Sequence, residues 1–211
     1  MKISKIHIIS LVVIALMFVG AYLTMSTLPT KIATHWNFAD QADGFTENKN
    51  FVFFIPALAF IVLEIYMWIQ KFDPLHKNAE EIKKYYEGVG LVITLFFAYL
   101  QCITMLWNIS ATFSMSKALS PAFACLFIFI GYILPKTKQN WFLGVRTPWA
   151  MTNENNWQKT HEFGGKLFIF SGFIMLLGVV LGPIGLGAGI ACVLISSIIV
   201  YFYSYKLSKK K

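Results

Sequence analysis

The sequence predicts an all-α, polytopic membrane protein with six transmembrane helices and both termini in the cytoplasm. The first observation is composition: 57% of the 211 residues are hydrophobic and only 13% are charged, outside the usual range of soluble domains. The second is a succession of six apolar runs separated by polar segments. The third is the alternation of Lys and Arg between the two sides that six crossings define.

The first predicted span begins at Ile6 and ends near Ser26. Its basic start resembles a secretion signal, but the apolar run of about 20 residues can cross a bilayer core of about 30 Å, and no small-x-small cleavage site follows. We therefore predict an uncleaved membrane helix. Further spans are predicted at Phe51 to Gln70, Val89 to Ile109, Leu119 to Leu134, Leu167 to Leu181 and Ile184 to Ser204.

Orientation follows from the basic residues, because cytoplasmic segments hold an excess of them. One side holds 15 of the 18 Lys and Arg residues, and the other holds Lys31, Lys49 and Lys117. The richer side comprises both termini, the second loop and the segment from Lys136 to Lys166. We therefore predict that these parts are cytoplasmic and that the loop from Thr27 to Asn50 lies outside the cell.

Composition also limits the function classes. The net charge of +8 comes from short basic clusters at the ends of apolar runs, and no basic stripe or nucleic-acid reader motif accompanies it. We predict membrane lipids as partners and no direct nucleic-acid partner. Cys102, Cys125 and Cys192 lie inside apolar runs without CxxC spacing, which favours a packing role. No cofactor is predicted.

The outer loop begins extended, opened by Pro29, and continues through turn-forming Asn, Asp and Gly residues. We predict an ordered loop that packs against the helix ends. Its candidate binding residues are His35, Trp36, Asn37 and Asp43. His35 with Asp40 and Asp43 is only a weak metal pattern, and turn and cap roles are favoured for the two carboxylates. No metal site is predicted.

Glu64 is the one charged residue placed well inside a predicted span. It lies six residues from the cytoplasmic end of its helix, roughly 9 Å deep at about 1.5 Å per residue. Two interpretations stay open: a buried proton or ion site, and a neutral, hydrogen-bonded packing residue. Gln101 lies deeper on the next helix and could share a network with it. The sequence lacks the broken helices and multiple midplane polar groups of a transporter.

The last two spans are joined by a glycine-rich turn around Pro183. The glycines at four-residue spacing are Gly178, Gly182, Gly185 and Gly189. They predict a tight outer turn between helices that approach each other closely, and no strand precedes them as a nucleotide-binding loop would require.

The segment from Asn140 to Lys166 is unusual for a loop between membrane helices. It concentrates three Trp, an Arg, a Pro, a His and a Gly pair. Its first ten residues are predicted to form a loop, since Pro148 disfavours helix at Thr147 and Gly144 permits backbone angles closed to other residues. The content indicates either a built site or an interfacial anchor.

A short helix from Asn155 to Phe163 is predicted to follow, capped by Thr152 or Asn153. One face of this helix presents Trp157, Thr160, His161 and Gly164. Arg146, whose guanidinium can bind a carboxylate or phosphate through two hydrogen bonds, could meet that face. The predicted cytoplasmic binding set is Asn140, Gly144, Arg146, Thr147, Trp149, Trp157, Thr160 and His161.

Two other interpretations of this segment stay open. In the first, Trp141, Trp149 and Trp157 lie at the lipid headgroups and Arg146 contacts lipid phosphate. The second is catalysis by His161, but adjacent helical residues such as Glu162 point in different directions, and no HExxH or nucleophile motif is present.

Two patterns carry a family resemblance. The first is Asn140-x3-Gly144-Val145-Arg146-Thr147-Pro148-Trp149, followed by Trp157-x2-Thr160-His161-x2-Gly164-Gly165-Lys166. This closely resembles the C-terminal signature of the SdpI immunity-protein family. The outer loop, Leu28-Pro29 to His35-Trp36-Asn37 and Asp43-Gly44 with Lys49, resembles the uncharacterised N-terminal domain that often precedes it. The chain departs from that domain at Asp40, where a Gly is expected.

The resemblance implies a membrane protein that protects a cell from a secreted toxic peptide and that also signals, by holding a cytoplasmic repressor at the membrane. The alternative is a membrane enzyme that acts on a lipid or peptide at the cytoplasmic face through His161, Glu162 and Arg146. We divide the chain into an N-terminal region (1–70), a second loop with the third helix (71–118) and an SdpI-like region (119–211). The sequence gives no oligomeric state.

Overall fold

The computed structural model describes residues 4–110 and 113–209. It confirms the predicted fold class, since the chain is 78% helical and six helices within these ranges are long and apolar enough to cross a membrane. The elements are α1 (Lys5–Thr24), β1 (Ile32–Trp36), β2 (Ala42–Thr46), α2 (Phe54–Ile69), α3 (His76–Glu81), α4 (Lys83–Ser110), α5 (Met115–Ile133), α6 (Pro148–Thr152), α7 (Glu154–Met175), α8 (Leu177–Leu181) and α9 (Pro183–Lys209). Short 3-10 turns flank α2 and follow α5.

The fifth span differs most from its prediction. The separate short helix predicted from Asn155 to Phe163 is wrong, because α7 runs without a break from Glu154 into the membrane span. Its cap is Asn153, whose side chain accepts a hydrogen bond from Asn156 N. Pro148 begins the short helix α6, because the first residue of a helix needs no N–H donor.

Small residues set the packing of the C-terminal helices. Where α5 crosses α7, a Cβ on Gly131 would lie 2.5 Å from the carbonyl oxygen of Gly165, and a Cβ on Gly165 would lie 2.6 Å from that of Gly131. The predicted tight turn around Pro183 is also confirmed, since Gly182 has a φ of +61° and Gly178 touches the backbone of α9 at Gly185.

The N-terminal helices pack through larger apolar side chains. Between α1 and α2 a buried cluster forms, and α4 covers it with Phe97 and Ala98. The buried members of the cluster are Ile14, Met17, Ala59, Leu63 and Met67.

The outer loop contains a β-hairpin, so the prediction of a wholly α-helical chain omitted one element. β1 pairs antiparallel with β2, with Ile32 opposite Thr46. Asn37 shapes the turn, because its side-chain oxygen accepts hydrogen bonds from Ala39 N (2.9 Å) and Gln41 N (3.1 Å). The apolar side of the loop joins a buried cluster with Ala21 of α1, which confirms that the loop is ordered and packed against helix ends.

Asp40, where the resembling domain has a Gly, lies in this turn with a φ of +64°. This is a left-handed conformation that glycine adopts freely and that Asp tolerates better than most residues. The Asp40 carboxylate accepts hydrogen bonds from the Ser114 hydroxyl and from both Ser116 N (2.8 Å) and Ser116 Oγ (2.9 Å). The departure therefore ties the hairpin turn to the start of α5.

The side of the membrane on which each loop lies stays a prediction, as does the division into three regions. Among the charges counted for orientation, Lys2, Lys210 and Lys211 lie outside the described residues.

Candidate functional site

Residues 137–147, between α5 and α6, form the signature loop, and Asn140 organises it. The Asn140 side chain is fully buried. Its amide oxygen accepts hydrogen bonds from Phe142 N (2.9 Å) and Leu143 N (2.6 Å), and its amide nitrogen donates to Lys138 O and Leu143 O, both at 2.8 Å. One side chain therefore satisfies four backbone groups of the loop.

Residues of the second loop and of the start of α4 bind the signature loop through polar side chains. The Tyr86 hydroxyl donates to Asn140 Oδ1 at 2.9 Å. Asp73, fully buried, accepts from Trp141 N at 2.9 Å through one carboxylate oxygen and from Leu75 N at 2.8 Å through the other. Two further links join these segments, from Asn78 to Gln139 O and from Lys138 to Glu81.

Gly144 and Val145 bring the signature loop against α7. Val145 N donates to His161 Nε2 at 2.9 Å, so this ring nitrogen is an acceptor. His161 Nδ1 lies 2.8 Å from Trp157 O and must carry the proton, because a carbonyl can only accept. Gly144 has a φ of +125°, and a Cβ there would overlap the His161 ring. The loop backbone thus binds a neutral imidazole of fixed tautomer.

Trp157 closes the space beneath the loop. Its ring stacks on His161 with centroids 4.0 Å apart and planes inclined at 22°, and its Nε1 donates to Thr137 O at 3.1 Å. Only 2% of Trp157 is exposed, and Thr160 and His161 are fully buried. Trp157 and His161 therefore support the loop directly, while the Thr160 hydroxyl binds Asn156 of its own helix.

A buried polar chain links the other end of the loop to α9. The Thr147 and Ser204 hydroxyls share a hydrogen bond of 2.6 Å, and Ser204 donates onward to Asn156 Oδ1 at 2.8 Å. Thr160 donates to the same oxygen at 3.0 Å, and Asn156 Nδ2 donates to Ser204 O at 2.9 Å. Thr147 also caps α6 by accepting from Ala150 N.

Arg146 does not meet the α7 face as predicted. Its side chain is exposed and donates to Trp141 O, within the loop itself. Trp149 is half-buried and packs against Tyr201 and Tyr205 of α9, with ring centroids 5.3 and 4.9 Å away. Trp141 is 51% exposed, so it is the most accessible of the three Trp residues that could lie at the lipid headgroups.

The expectation that one helix face offers Trp157, Thr160 and His161 to a partner needs correction, because the signature loop covers that face. The residues of the enzyme alternative also lie in different surroundings. His161 is buried with both ring nitrogens engaged, whereas Glu162 is exposed and accepts a hydrogen bond from Gln158. A binding role for the predicted set stays a prediction.

Two polar clefts flank the first turns of α7. The first has a volume of about 310 Å³ and is lined by Trp149, Thr152, Asn153, Asn155, Asn156, Lys159, Leu207 and Ser208. The second has a volume of about 340 Å³ and is lined by Asn78, Thr137, Lys138, Gln139, Glu154, Asn155, Trp157 and Gln158. Asn155 lines both clefts.

Glu64 is paired. Its carboxylate lies 2.8 Å from His7 Nε2, which joins α1 to α2. Gln101, which the sequence allowed as a member of a network with Glu64, instead donates to Met17 O at 2.8 Å. Both side chains of the pair are mostly covered, with 13% of His7 and 28% of Glu64 exposed.

The candidate binding residues of the outer loop make contacts within the hairpin or with α4. His35 Nδ1 lies 2.5 Å from Asp43 Oδ1 across the two strands, and both side chains are exposed. Trp36 packs edge to face on Trp107 of α4, with ring centroids 5.1 Å apart. Asp40 binds α5 instead of joining His35, and within the described ranges no three His, Cys, Asp or Glu side chains converge as a metal site would require.

Sequence reasoning missed several residues that hold these sites together. They are His7, Asp73, Tyr86, Asn108, Asn156 and Ser204. For five of them the available signal was polarity near the end of an apolar run, since they stand within or beside a predicted span, whereas Asn156 lies in the short helix predicted from Asn155 to Phe163. Polarity alone does not identify the partner.

Comparison with known proteins supports the resemblance. Residues 136–204 match the SdpI/YfhL protein family, and residues 12–60 match a domain of unknown function, DUF1648. The chain is 25% identical to Immunity protein SdpI of Bacillus subtilis (strain 168) over 208 residues, which cover 98% of this chain and 97% of that protein. No solved structure matches. These findings establish a multi-pass cell-membrane protein similar to an immunity protein.

Proposed function

We propose that this chain, whose residues 136–204 match the SdpI/YfhL protein family, is a membrane immunity protein that protects its cell from a secreted antimicrobial peptide. The observation that carries the proposal is the likeness to Immunity protein SdpI along 98% of the chain. A likeness of this extent includes the outer hairpin, the six spans and the signature loop, so the proposal does not depend on one motif.

We further propose that the signature loop holds a cytoplasmic repressor at the membrane. The support is that the loop is a built surface: Asn140 satisfies its backbone from within, and Trp157 and His161 fill the space beneath it. A loop fixed in this way can present Arg146 at lower entropic cost than a mobile one. The partner would contact exposed Arg146 and the clefts beside α7, while Trp157, Thr160 and His161 act from inside.

No observation favours the enzyme alternative, because His161 has both ring nitrogens engaged and lies beneath the loop. A general acid or base needs a nitrogen within hydrogen-bond reach of a substrate.

Complementation tests the immunity function. In the first experiment, a Bacillus subtilis strain that lacks Immunity protein SdpI expresses this chain and grows beside its parent strain. In the second, the native host with this chain deleted grows beside its own parent strain. We expect survival of the complemented strain, inhibition of the deleted native host, or both. Membrane levels would be measured by immunoblot.

The control is the same chain carrying Gly144→Val, which keeps the spans but overlaps His161 at the loop. If the unaltered chain accumulates in the membrane, fails to protect the Bacillus strain and its loss leaves the native host insensitive, the immunity function is contradicted.

A further inference from the structure

Helix α4 is bound at its outer end to the β-hairpin. Asn108 pairs with the backbone of Ala33 in β1 as a neighbouring strand would: Ala33 N donates to Asn108 Oδ1 at 2.7 Å, and Asn108 Nδ2 donates to Ala33 O at 3.1 Å. Asn108 Nδ2 also donates to Thr104 O of its own helix. Asn108 is 9% exposed and Ala33 is 1% exposed, so water competes little for these bonds.

The cytoplasmic end of the same helix is bound to the signature loop. The Tyr86 hydroxyl donates to Asn140 Oδ1, the atom that also receives the two loop N–H groups. Tyr86 is fully buried. Its position relative to α4 therefore determines where the organising amide of the loop can lie.

Between these two anchors α4 is a continuous helix. Asn108 lies 22 residues after Tyr86, which corresponds to about 33 Å at a rise of about 1.5 Å per residue. Between the two anchors, and nearer to Asn108, Gln101 donates to Met17 O of α1. A helix of this length that moves as a rigid body carries a displacement from one end to the other.

The outer end of α4 is not tightly filled. A cavity of about 20 Å³ lies between the helix and the hairpin region, lined by Ile32, Gln101, Asn108 and apolar neighbours. Gln101 Oε1, on a side chain only 3% exposed, has no hydrogen-bond partner in the part of the chain that the structure describes. The cavity is about the size of one water molecule, so the packing is incomplete only locally.

We propose that α4 couples the outer hairpin to the cytoplasmic signature loop, so that a ligand which moves the hairpin changes the conformation of the loop. The nature of that ligand rests on the proposed function, while the coupling itself does not. The segment that carries the coupling, residues 61–135, lies between the two family matches.

Hydrogen exchange of the full chain in lipid nanodiscs of phosphatidylethanolamine and phosphatidylglycerol tests the coupling without any toxin. Asn108→Ala is expected to speed exchange in residues 32–36 and also in residues 140–146, the latter by about fivefold, the change that loss of one buried hydrogen bond produces in an opening equilibrium. Faster exchange at the hairpin with unchanged exchange at residues 140–146 would overturn the proposal.

A variant at the other end of α4 tests the coupling independently, in case Asn108→Ala does not fold. Tyr86→Phe removes only a hydroxyl, and because coupling is reciprocal it should speed exchange at residues 32–36 as well as at 140–146. Unchanged exchange at the hairpin would reject the coupling. Ser110→Ala is the control, since its hydroxyl binds Leu106 O of its own helix. If this control speeds exchange at both loops, the effect is general loosening and the proposal fails.

Discussion

The Tyr86 hydroxyl and the Asn140 amide are joined by a 2.9 Å hydrogen bond across 54 residues of sequence. Asn140 belongs to the region that matches the SdpI/YfhL family, whereas Tyr86 lies outside both matched regions. Asp73, also outside them, binds Trp141 N in the same loop. The conformation of the family signature is therefore set in part by a segment whose own sequence carries no recognisable motif.

Gly144→Ala is expected to destabilise the protein by about 2–4 kcal/mol, because the φ of +125° disfavours any side chain and the new Cβ would overlap His161 Nε2. Thermal unfolding in detergent would measure the change, and limited proteolysis would detect opening of the signature loop. Gly20→Ala is the matched control, since a Cβ there meets nothing within 4 Å and Ala favours helix. Equal melting temperatures for the two variants would contradict the structural role of Gly144.

Hydropathy and glycine chemistry predicted much of this architecture. Six apolar runs predicted six spans, because a membrane helix satisfies its backbone hydrogen bonds within its own segment. Gly144 was predictable as a position with unusual backbone angles, and Asn153 as a helix cap. At position 40, where a Gly is expected, Asp40 adopts the left-handed backbone angle that favours Gly, and its carboxylate accepts a hydrogen bond from Ser116 N.

The side-chain pairs could not be predicted in the same way. Hydropathy gives the depth of Glu64 but not the rotation of its helix, so His7, 57 residues away, was not found as its partner. Helical spacing correctly put Trp157 and His161 on one face, but it does not tell whether that face meets a partner or the protein's own loop. Such pairings depend on how helices and loops pack, which no local pattern encodes.

The contact between His7 and Glu64 predicts how substitutions of Glu64 change the stability of the protein. Glu64→Gln should retain normal membrane levels and protection if the carboxyl is a packing group, because the amide keeps a hydrogen bond to His7. Glu64→Leu should lower stability by about 1–3 kcal/mol, since it leaves His7 without its partner between α1 and α2. The measurement is thermal unfolding in detergent, together with survival under peptide challenge.

The double variant His7→Leu with Glu64→Leu is the control, because replacing both partners with apolar groups can be nearly neutral. It should recover most of the stability lost in Glu64→Leu. A double variant no more stable than the single one would contradict the pairing, and loss of protection by Glu64→Gln at normal membrane levels would instead indicate proton or ion chemistry.

The excess of Lys and Arg on one side predicts the topology. A reporter active only in the cytoplasm should be active when fused after Asn155 or after Lys211, which lies outside the described residues, and silent when fused after Asp43 in β2. Fusion protein levels would be compared by immunoblot. Activity of the Asp43 fusion would overturn the assignment of the hairpin to the outside.

Substitutions of Arg146 distinguish binding of a protein partner from binding of lipid phosphate. It is exposed beside the fixed backbone of the signature loop, where a planar guanidinium can bind a carboxylate through two hydrogen bonds that Lys cannot reproduce. Arg146→Lys and Arg146→Ala should therefore both abolish retention of the repressor while the protein still accumulates in the membrane. Repressor retention would be measured by membrane fractionation after challenge with the toxic peptide.

Lys166→Ala, at an exposed cation of α7, is the control and should retain the repressor. If Arg146 only contacts lipid phosphate, its charge is what matters, and the Lys variant should then signal as well as the unaltered chain. Full retention by Arg146→Lys would therefore favour the lipid interpretation. A variant that protects the cell but no longer retains the repressor would separate the two proposed roles, because the outer hairpin and Arg146 are predicted to lie on opposite sides of the membrane.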